Sequence, residues 1–297
     1  MIKIKVPAST ANIGAGFDCF GMALNLYNEF EIGETQGSLT FLENGQPSSI
    51  MSNDNLIYLS MMRSFRKYGH EPKGLYINVT QADVPVSRGL GSSAACIAAG
   101  LLAANCLMDN IMTEQEMLNM AASIEGHPDN VVPAIKGGFN VSMRCDGNVI
   151  YSKIDPPKDL SFAALIPDFK MDTSKCRKIL PQSYSREDCV FNISRASLLI
   201  CSLWNRDFSK LKNCFQDKIH QPYRGALIED LHDIFKKADE FGSLGEFISG
   251  SGSTLMAVID ESNTDFCEKM SEFLSSLKAN WQVKLLKPDY EGAKIIL

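Results

Sequence analysis

PVSRGLGSSAA, residues 85–95, is the stretch on which the reading of this chain turns. Gly89 and Gly91 permit backbone angles closed to residues with side chains, and they let a ligand approach the main chain. Ser92 and Ser93 then open a run of small residues, Ala94 to Ala104, with strong helix propensity and Gly100 as its one breaker. A glycine turn that feeds a helix start leaves amide N–H groups unpaired, with the positive end of the helix dipole behind them. Such a place suits an anion, and phosphate best of all. Arg88 sits inside the turn, where it could add a full charge. The spacing is neither that of a Walker A loop, which needs Gly-Lys-Ser/Thr, nor that of GxGxxG. The plainer alternative is a strand end followed by a buried helix with Ser92 as its N-cap. The number of specified positions, Pro85 included, favours the phosphate reading.

Composition narrows the class. With 297 residues, 45% of them hydrophobic, the chain can build one large core or two medium ones. A net charge of −6 and the lack of any run of five basic residues argue against a nucleic-acid partner. Nine cysteines are an odd set without a CxxC pair, so neither a disulfide framework nor a zinc site is expected, and a reducing compartment fits. The chain opens directly on a strand pattern and has no apolar run of spanning length, which predicts a cytoplasmic protein without a membrane partner.

Along the chain, Ile2, Ile4 and Val6 alternate with lysines, a half-buried strand expected to stop at Pro7. The next segment, nearly free of charge and carrying Gly14, Gly16 and Gly21, predicts a tight loop approached by a ligand. Strands are expected at 26–33, 38–42 and 74–80, and a helix from Asn55 to Tyr68 ended by Gly69. Thr113 with Glu116 forms a capping box for a helix reaching Glu125, and Asp146-Gly147 a hairpin turn. Pro156, Pro157, Lys158 and Asp159 mark a short boundary, so the two halves should pack together rather than swing. Beyond it the order strand–helices–strand–strand–helix–strand reads as a ferredoxin-like domain with helical insertions.

PxxxGLGSSAA resembles the nucleotide-binding motif of the GHMP kinases, which phosphorylate small metabolites. The resemblance implies an α+β, two-domain GHMP kinase fold: a mixed α/β nucleotide-binding domain over 1–156 and a ferredoxin-like domain over 157–297. It implies that Pro85, Val86, Ser87, Arg88, Gly89, Leu90, Gly91, Ser92, Ser93, Ala94 and Ala95 hold ATP. A serine hydroxyl of the motif, Ser93 ahead of Ser92, would touch Mg2+. ISGSGSTLMAV at 248–258 resembles the third motif of the same family, which packs near the phosphate loop and the substrate.

The remaining candidates are polar residues in unusual settings. Asn12 and Asp18 are ordinary turn residues in type, yet they stand in a loop with little other charge. A carboxylate there could pair with an ammonium group, and a carboxamide can both donate and accept. VPASTANIGAGFDCFGMAL resembles the opening of the homoserine-phosphorylating branch of the family, which implies that Asn12 and Asp18 contact L-homoserine, Asp18 through the amine. In IEGHPDN, the resemblance makes Glu125 the second metal candidate and Asp129 either a base or a structural turn residue. Asn130 could orient the acceptor hydroxyl, and His127 reads as a hydrogen-bonded turn histidine. The family segments NISRASLL and HQPYRGAL imply that Arg195 and Arg224 bind the amino-acid carboxylate, for which a guanidinium fork is the matching shape. Implied partners are therefore ATP and L-homoserine, with self-association into a homodimer left open. The rivals are a mevalonate- or sugar-type kinase and a non-catalytic amino-acid sensor on the same fold.

Overall fold

The alternation at the start of the chain does give a strand in the computed structural model, which describes residues 1–50 and 52–296. That strand, β1 (Ile2–Ala11), runs on past Pro7, contrary to expectation. Proline lacks the N–H that a ladder needs, and the chain absorbs this with a register shift between Pro7 and Ala8 in its pairing with β2 (Phe20–Glu34). Then come β3 (Leu39–Glu43), β4 (Gln46–Pro47), α1 (Leu56–Tyr68) and β5 (Leu75–Ala82). Asn55 accepts from the amides of Ile57 and Tyr58, and Gly69 closes α1 in the left-handed conformation.

Helix α2 (Ser92–Leu107) follows the glycine turn and is buried on most of its surface. Gly100 lets it lie against α1, because a Cβ there would meet the carbonyl of Ile57. The Thr113–Glu116 capping box opens α3 (Glu114–Glu125), and α4 (Val131–Lys136) follows. β6 (Phe139–Cys145) and β7 (Asn148–Ile154) form the expected hairpin, with Asp146 and Gly147 both at positive φ as its turn demands.

In the second half, β8 (Leu160–Pro167) leads to α5 (Thr173–Lys178), α6 (Arg186–Asn205), α7 (Leu211–Cys214), α8 (Gln221–Gly225) and α9 (Leu231–Glu240). β9 (Gly245–Ile248), β10 (Leu255–Asp260), α10 (Phe266–Ser275), β11 (Trp281–Leu286) and β12 (Lys294–Ile296) complete the chain. The sheet order β11-β8-β10-β9, antiparallel at every pairing, is the ferredoxin-like arrangement expected from the element order. The first sheet runs β12-β1-β2-β5-β3-β4, with the β6–β7 hairpin attached to the start of β2.

One expectation needs correcting. The second domain does not keep the chain to its end, because the segment after Leu286 crosses back and adds β12 to the edge of the first sheet beside β1. Alternation along β8 explains how the halves join. Phe162, Ala164 and Ile166 face a core shared with Met22, Leu24, Leu90 and Phe139 of the first half. Ala163 and Leu165 face the opposite way, into a core closed by α9 and α10. The halves are thus fused through apolar side chains, as the short boundary predicts. No helix among the described residues is long and apolar enough to cross a membrane, and all nine cysteines are free thiols.

Candidate active site

Three segments distant in sequence meet at the turn 85–91. Gly91 is the N-cap of α2 at φ +71°, so Ser92 begins the helix rather than capping it as the plainer alternative had it. The helix start has no side-chain cap, which leaves its first amides free for a ligand. Glycine is required here by its neighbours as well as by φ: a Cβ on Gly91 would strike the Ser9 hydroxyl on β1, and one on Gly89 the Ser249 carbonyl. The third motif closes on the same turn. Ser249 Oγ donates to the Gly89 carbonyl at 2.6 Å and lies 2.8 Å from Thr10 Oγ1, while the Thr254 amide donates to the Arg88 carbonyl.

A cavity of about 390 Å³ opens at this junction and runs along the turn. Pro85 through Ser93 line it. Ala94 and Ala95, expected among the nucleotide contacts, instead face the core with Ile97 and Ala98. Arg88 is among the lining residues. Its guanidinium donates to the carbonyls of Pro167 (2.9 Å), Asp168 (2.6 Å) and Val86 (3.2 Å), so it ties the turn to the end of β8 while keeping its positive charge at the cavity wall. One end of the cavity is apolar, walled by Leu42, Ile57, Ile77 and Val79.

The other end is charged. Ser93 Oγ donates to the Glu125 carboxylate at 2.7 Å, so the two residues named as metal ligands meet across the helix start. Burial raises the pKa of Glu125, against the opposing hydrogen bond from Ser93. A hydroxyl and a carboxylate side by side at a phosphate loop are hard oxygen donors, the kind that Mg2+ takes. Asp129 is buried and hydrogen-bonded to His127 through Oδ1, and Asn130 accepts from Ser9 Oγ at 2.9 Å. His127 is therefore the hydrogen-bonded turn histidine expected. Burial opposes its protonation, but Asp129, with Asp18 and Glu125, outweighs that and raises its pKa. Ligand atoms of Asp18, His127 and Asp129 lie within 4.8 Å of one another.

Asn12 lines the cavity and is tied into the loop through both of its polar atoms. Its Nδ2 donates to the Gly250 carbonyl at 2.8 Å and its Oδ1 accepts from the Asp18 amide at 3.0 Å, a staple that holds Asp18 at the mouth of the loop. The Asp18 carboxylate receives both terminal nitrogens of Arg177, each at 2.8 Å. Arg177, on α5, is a cavity residue that sequence reasoning missed. It stands in a run with Lys175 and Lys178, and nothing local sets it apart.

Arg224 is the unusual charge. It is 2% exposed and lines the cavity, yet no carboxylate among the described residues lies within 4.0 Å of its guanidinium. Nη1 donates to the Gly250 carbonyl at 3.0 Å, and Nε stands at 3.5 Å from that of Cys176. Arg195, expected to act with it, is elsewhere. Its guanidinium stacks on Phe191 and reaches Gln216, outside the cavity. Ile193 and Leu198 beside it are exposed; α6 turns Asn192, Leu199 and Leu203 inward.

Such a fold, with a glycine turn and an uncapped helix start opening on a cavity beside two sheets, defines a class. Residues 55–138 match the family described as GHMP kinases N terminal domain, and residues 204–276 that described as GHMP kinases C terminal. The chain belongs to the GHMP kinase family. It is 53% identical over 296 residues to the homoserine kinase of Clostridium novyi (strain NT), a match covering 100% of this chain and 99% of that one. With the homoserine kinase of Clostridium kluyveri it shares 52% identity over 295 residues, 99% and 98% of the two chains. The crystal structure of homoserine kinase from Cytophaga hutchinsonii superposes with a TM-score of 0.87 at 29% identity, covering 99% of this chain and 97% of that one.

Proposed function

We propose that this chain is a homoserine kinase, transferring the γ-phosphoryl group of ATP to the side-chain hydroxyl of L-homoserine to give ADP and O-phospho-L-homoserine on the route to threonine. The observation that carries this reading is Arg224: a buried guanidinium without a carboxylate of its own, in the same cavity as a phosphate loop. Burying an unpaired charge costs several kcal/mol, so its retention argues for an anionic ligand that completes it. A sugar or a simple alcohol would leave it unmet. Nearby Asp18 supplies the opposite sign for an α-ammonium group. Together they suit a zwitterion.

In this reading the amides at the start of α2 and the backbone of residues 89–93 hold the ATP phosphates, and the apolar end walled by Ile57, Ile77 and Val79 takes the base. Ser93 and Glu125 would hold Mg2+, which supplies charge neutralisation on the transferred phosphate. The substrate carboxylate engages Arg224 and Arg177, and its amine engages Asp18, so that ligand charges replace the Asp18–Arg177 pair of the free protein. The hydroxyl then lies toward Asp129 and Asn130. Asp129 Oδ2 accepts no hydrogen bond from the described residues and is the carboxylate able to receive the hydroxyl proton. Phosphoryl transfer has a loose transition state, so positioning and charge carry more of the rate than early deprotonation. Domains are assigned as a nucleotide-binding half through Pro156 and a ferredoxin-like half through Leu286, with the final segment returned to the first. A cytoplasmic location belongs to the same proposal.

The test is ADP release measured with a panel of L-homoserine, L-serine, L-threonine, mevalonate and galactose. L-Homoserine is expected to give the highest kcat/KM by at least about tenfold. A higher value for a substrate lacking the amine or the carboxylate would overturn the reading.

A further inference from the structure

His220 has no part in the scheme above, yet it is fully buried beside the residue on which that scheme depends. Its ring stacks on Phe17 with centroids 5.4 Å apart, and Phe17 in turn lies under the guanidinium of Arg224. Nε2 is 2.9 Å from the carbonyl of Gly14, in the first glycine loop. Nδ1 is 3.4 Å from Nη1 of Arg224. The chemistry of these partners assigns the proton. A carbonyl only accepts, so Nε2 must carry the hydrogen; a guanidinium only donates, so Nδ1 must offer its lone pair. Only the neutral Nε2–H tautomer satisfies both.

The other charged groups around the ring agree with that state. Asp217 Oδ2 lies 3.7 Å from Nε2, but this carboxylate is already occupied, accepting from the Asn192 side chain and the amides of Ile219, His220 and Gln221. Asp18 is the further acidic group acting on the ring, and Arg224 the cation opposing its protonation. Burial and Arg224 together hold His220 below the usual histidine range, against the pull of Asp217.

We infer that His220 is a positioning residue for substrate recognition, a neutral Nε2–H imidazole that ties the first glycine loop to Arg224 and holds its guanidinium toward the cavity. The inference rests on the homoserine-kinase reading for its kinetic consequence but not for its tautomer. Of the guanidinium nitrogens, Nη1 is fixed by His220 and Gly250, which leaves Nη2 without a partner among the described residues and available to a carboxylate. Without the imidazole, the guanidinium would keep the Gly250 carbonyl, the long contact to Cys176 and the Phe17 ring beneath it, with Phe17 itself deprived of its stacking partner.

The experiment compares His220→Leu, which removes both hydrogen bonds, with His220→Gln, whose amide can donate to Gly14 and accept from Arg224. His220→Leu is expected to raise KM for homoserine on the order of tenfold while KM for ATP changes less than about twofold, and His220→Gln to recover most of the loss. Long-range proton–nitrogen correlation spectra of the wild-type enzyme labelled at histidine should show one ring with protonated Nε2 and bare Nδ1 from about pH 6 to 8. Equal KM values in wild type and a folded Leu variant, or a Gln variant as impaired as Leu, would overturn the inference, as would an Nδ1–H ring. Should His220→Leu not fold, the Gln variant and the spectra decide. Failure of the wild type to phosphorylate homoserine would instead remove the functional reading, and the spectra would still test the tautomer.

Discussion

Arg224 and Arg177 differ in burial, and that difference sets what each substitution should do. Arg224→Leu removes a buried charge that the free protein leaves unpaired, so the fold has little to lose and the ligand much. Truncating one side of a buried charged hydrogen bond costs about 2–5 kcal/mol, so kcat/KM for homoserine should fall at least about 30-fold with KM for ATP nearly unchanged. Equal losses for both substrates in steady-state assays would remove the carboxylate assignment. Arg195→Ala, outside the cavity, should leave both KM values within about twofold. Glu125 adds a pH dependence. Burial raises its pKa, so through the window from the ordinary carboxylate range up to that raised value the folded state binds more protons than the unfolded one, and stability falls as pH rises. Glu125→Gln should flatten this slope in urea melts at several pH values and raise the Mg2+ concentration needed for turnover. A slope unchanged by the substitution would contradict the burial argument. The contact between Asp18 and Arg177 could not be read from the sequence, since the two are 159 positions apart and Arg177 looks locally like the lysines around it.

The turn at 85–91 and the helix behind it work as one unit, and its tolerance is set by backbone geometry. Gly91→Ala combines a left-handed φ with a collision against Ser9, so it should lower stability by about 1–3 kcal/mol and abolish most turnover. Thermal melts and ADP release test this together, and a fully active alanine variant would mean that the turn does not hold its present shape during catalysis. Elements whose signals are local were legible in the residues: the capping box at Thr113, the glycine stop at Gly69, the Asp146-Gly147 hairpin, and the ferredoxin-like order itself. Those governed by partners were not. Pro7 reads as a strand end unless the compensating shift opposite β2 is known. The anchoring of Arg88 on the carbonyls of Pro167 and Asp168 was hidden for the same reason, since both are set by where β8 ends.

The molecule is joined across its two halves at more than one point: the shared core, the short boundary after Ile154, and the segment after Leu286. In that segment Asp289 accepts from Tyr27 at 2.9 Å and from the amides of Glu291 and Gly292, while its own amide and carbonyl bond to Ala23 and Gly138. Ending the chain after Lys287 should therefore lower the melting temperature on the order of 10 °C, read by circular dichroism, although no cavity residue is removed. An unchanged melting temperature would show that the returning segment is ornamental. β1 takes as its outer neighbour β12, a strand from the far end of the described residues. The border of the first sheet beside β1 thus stays open during synthesis until the whole second half has been made and β12 can dock.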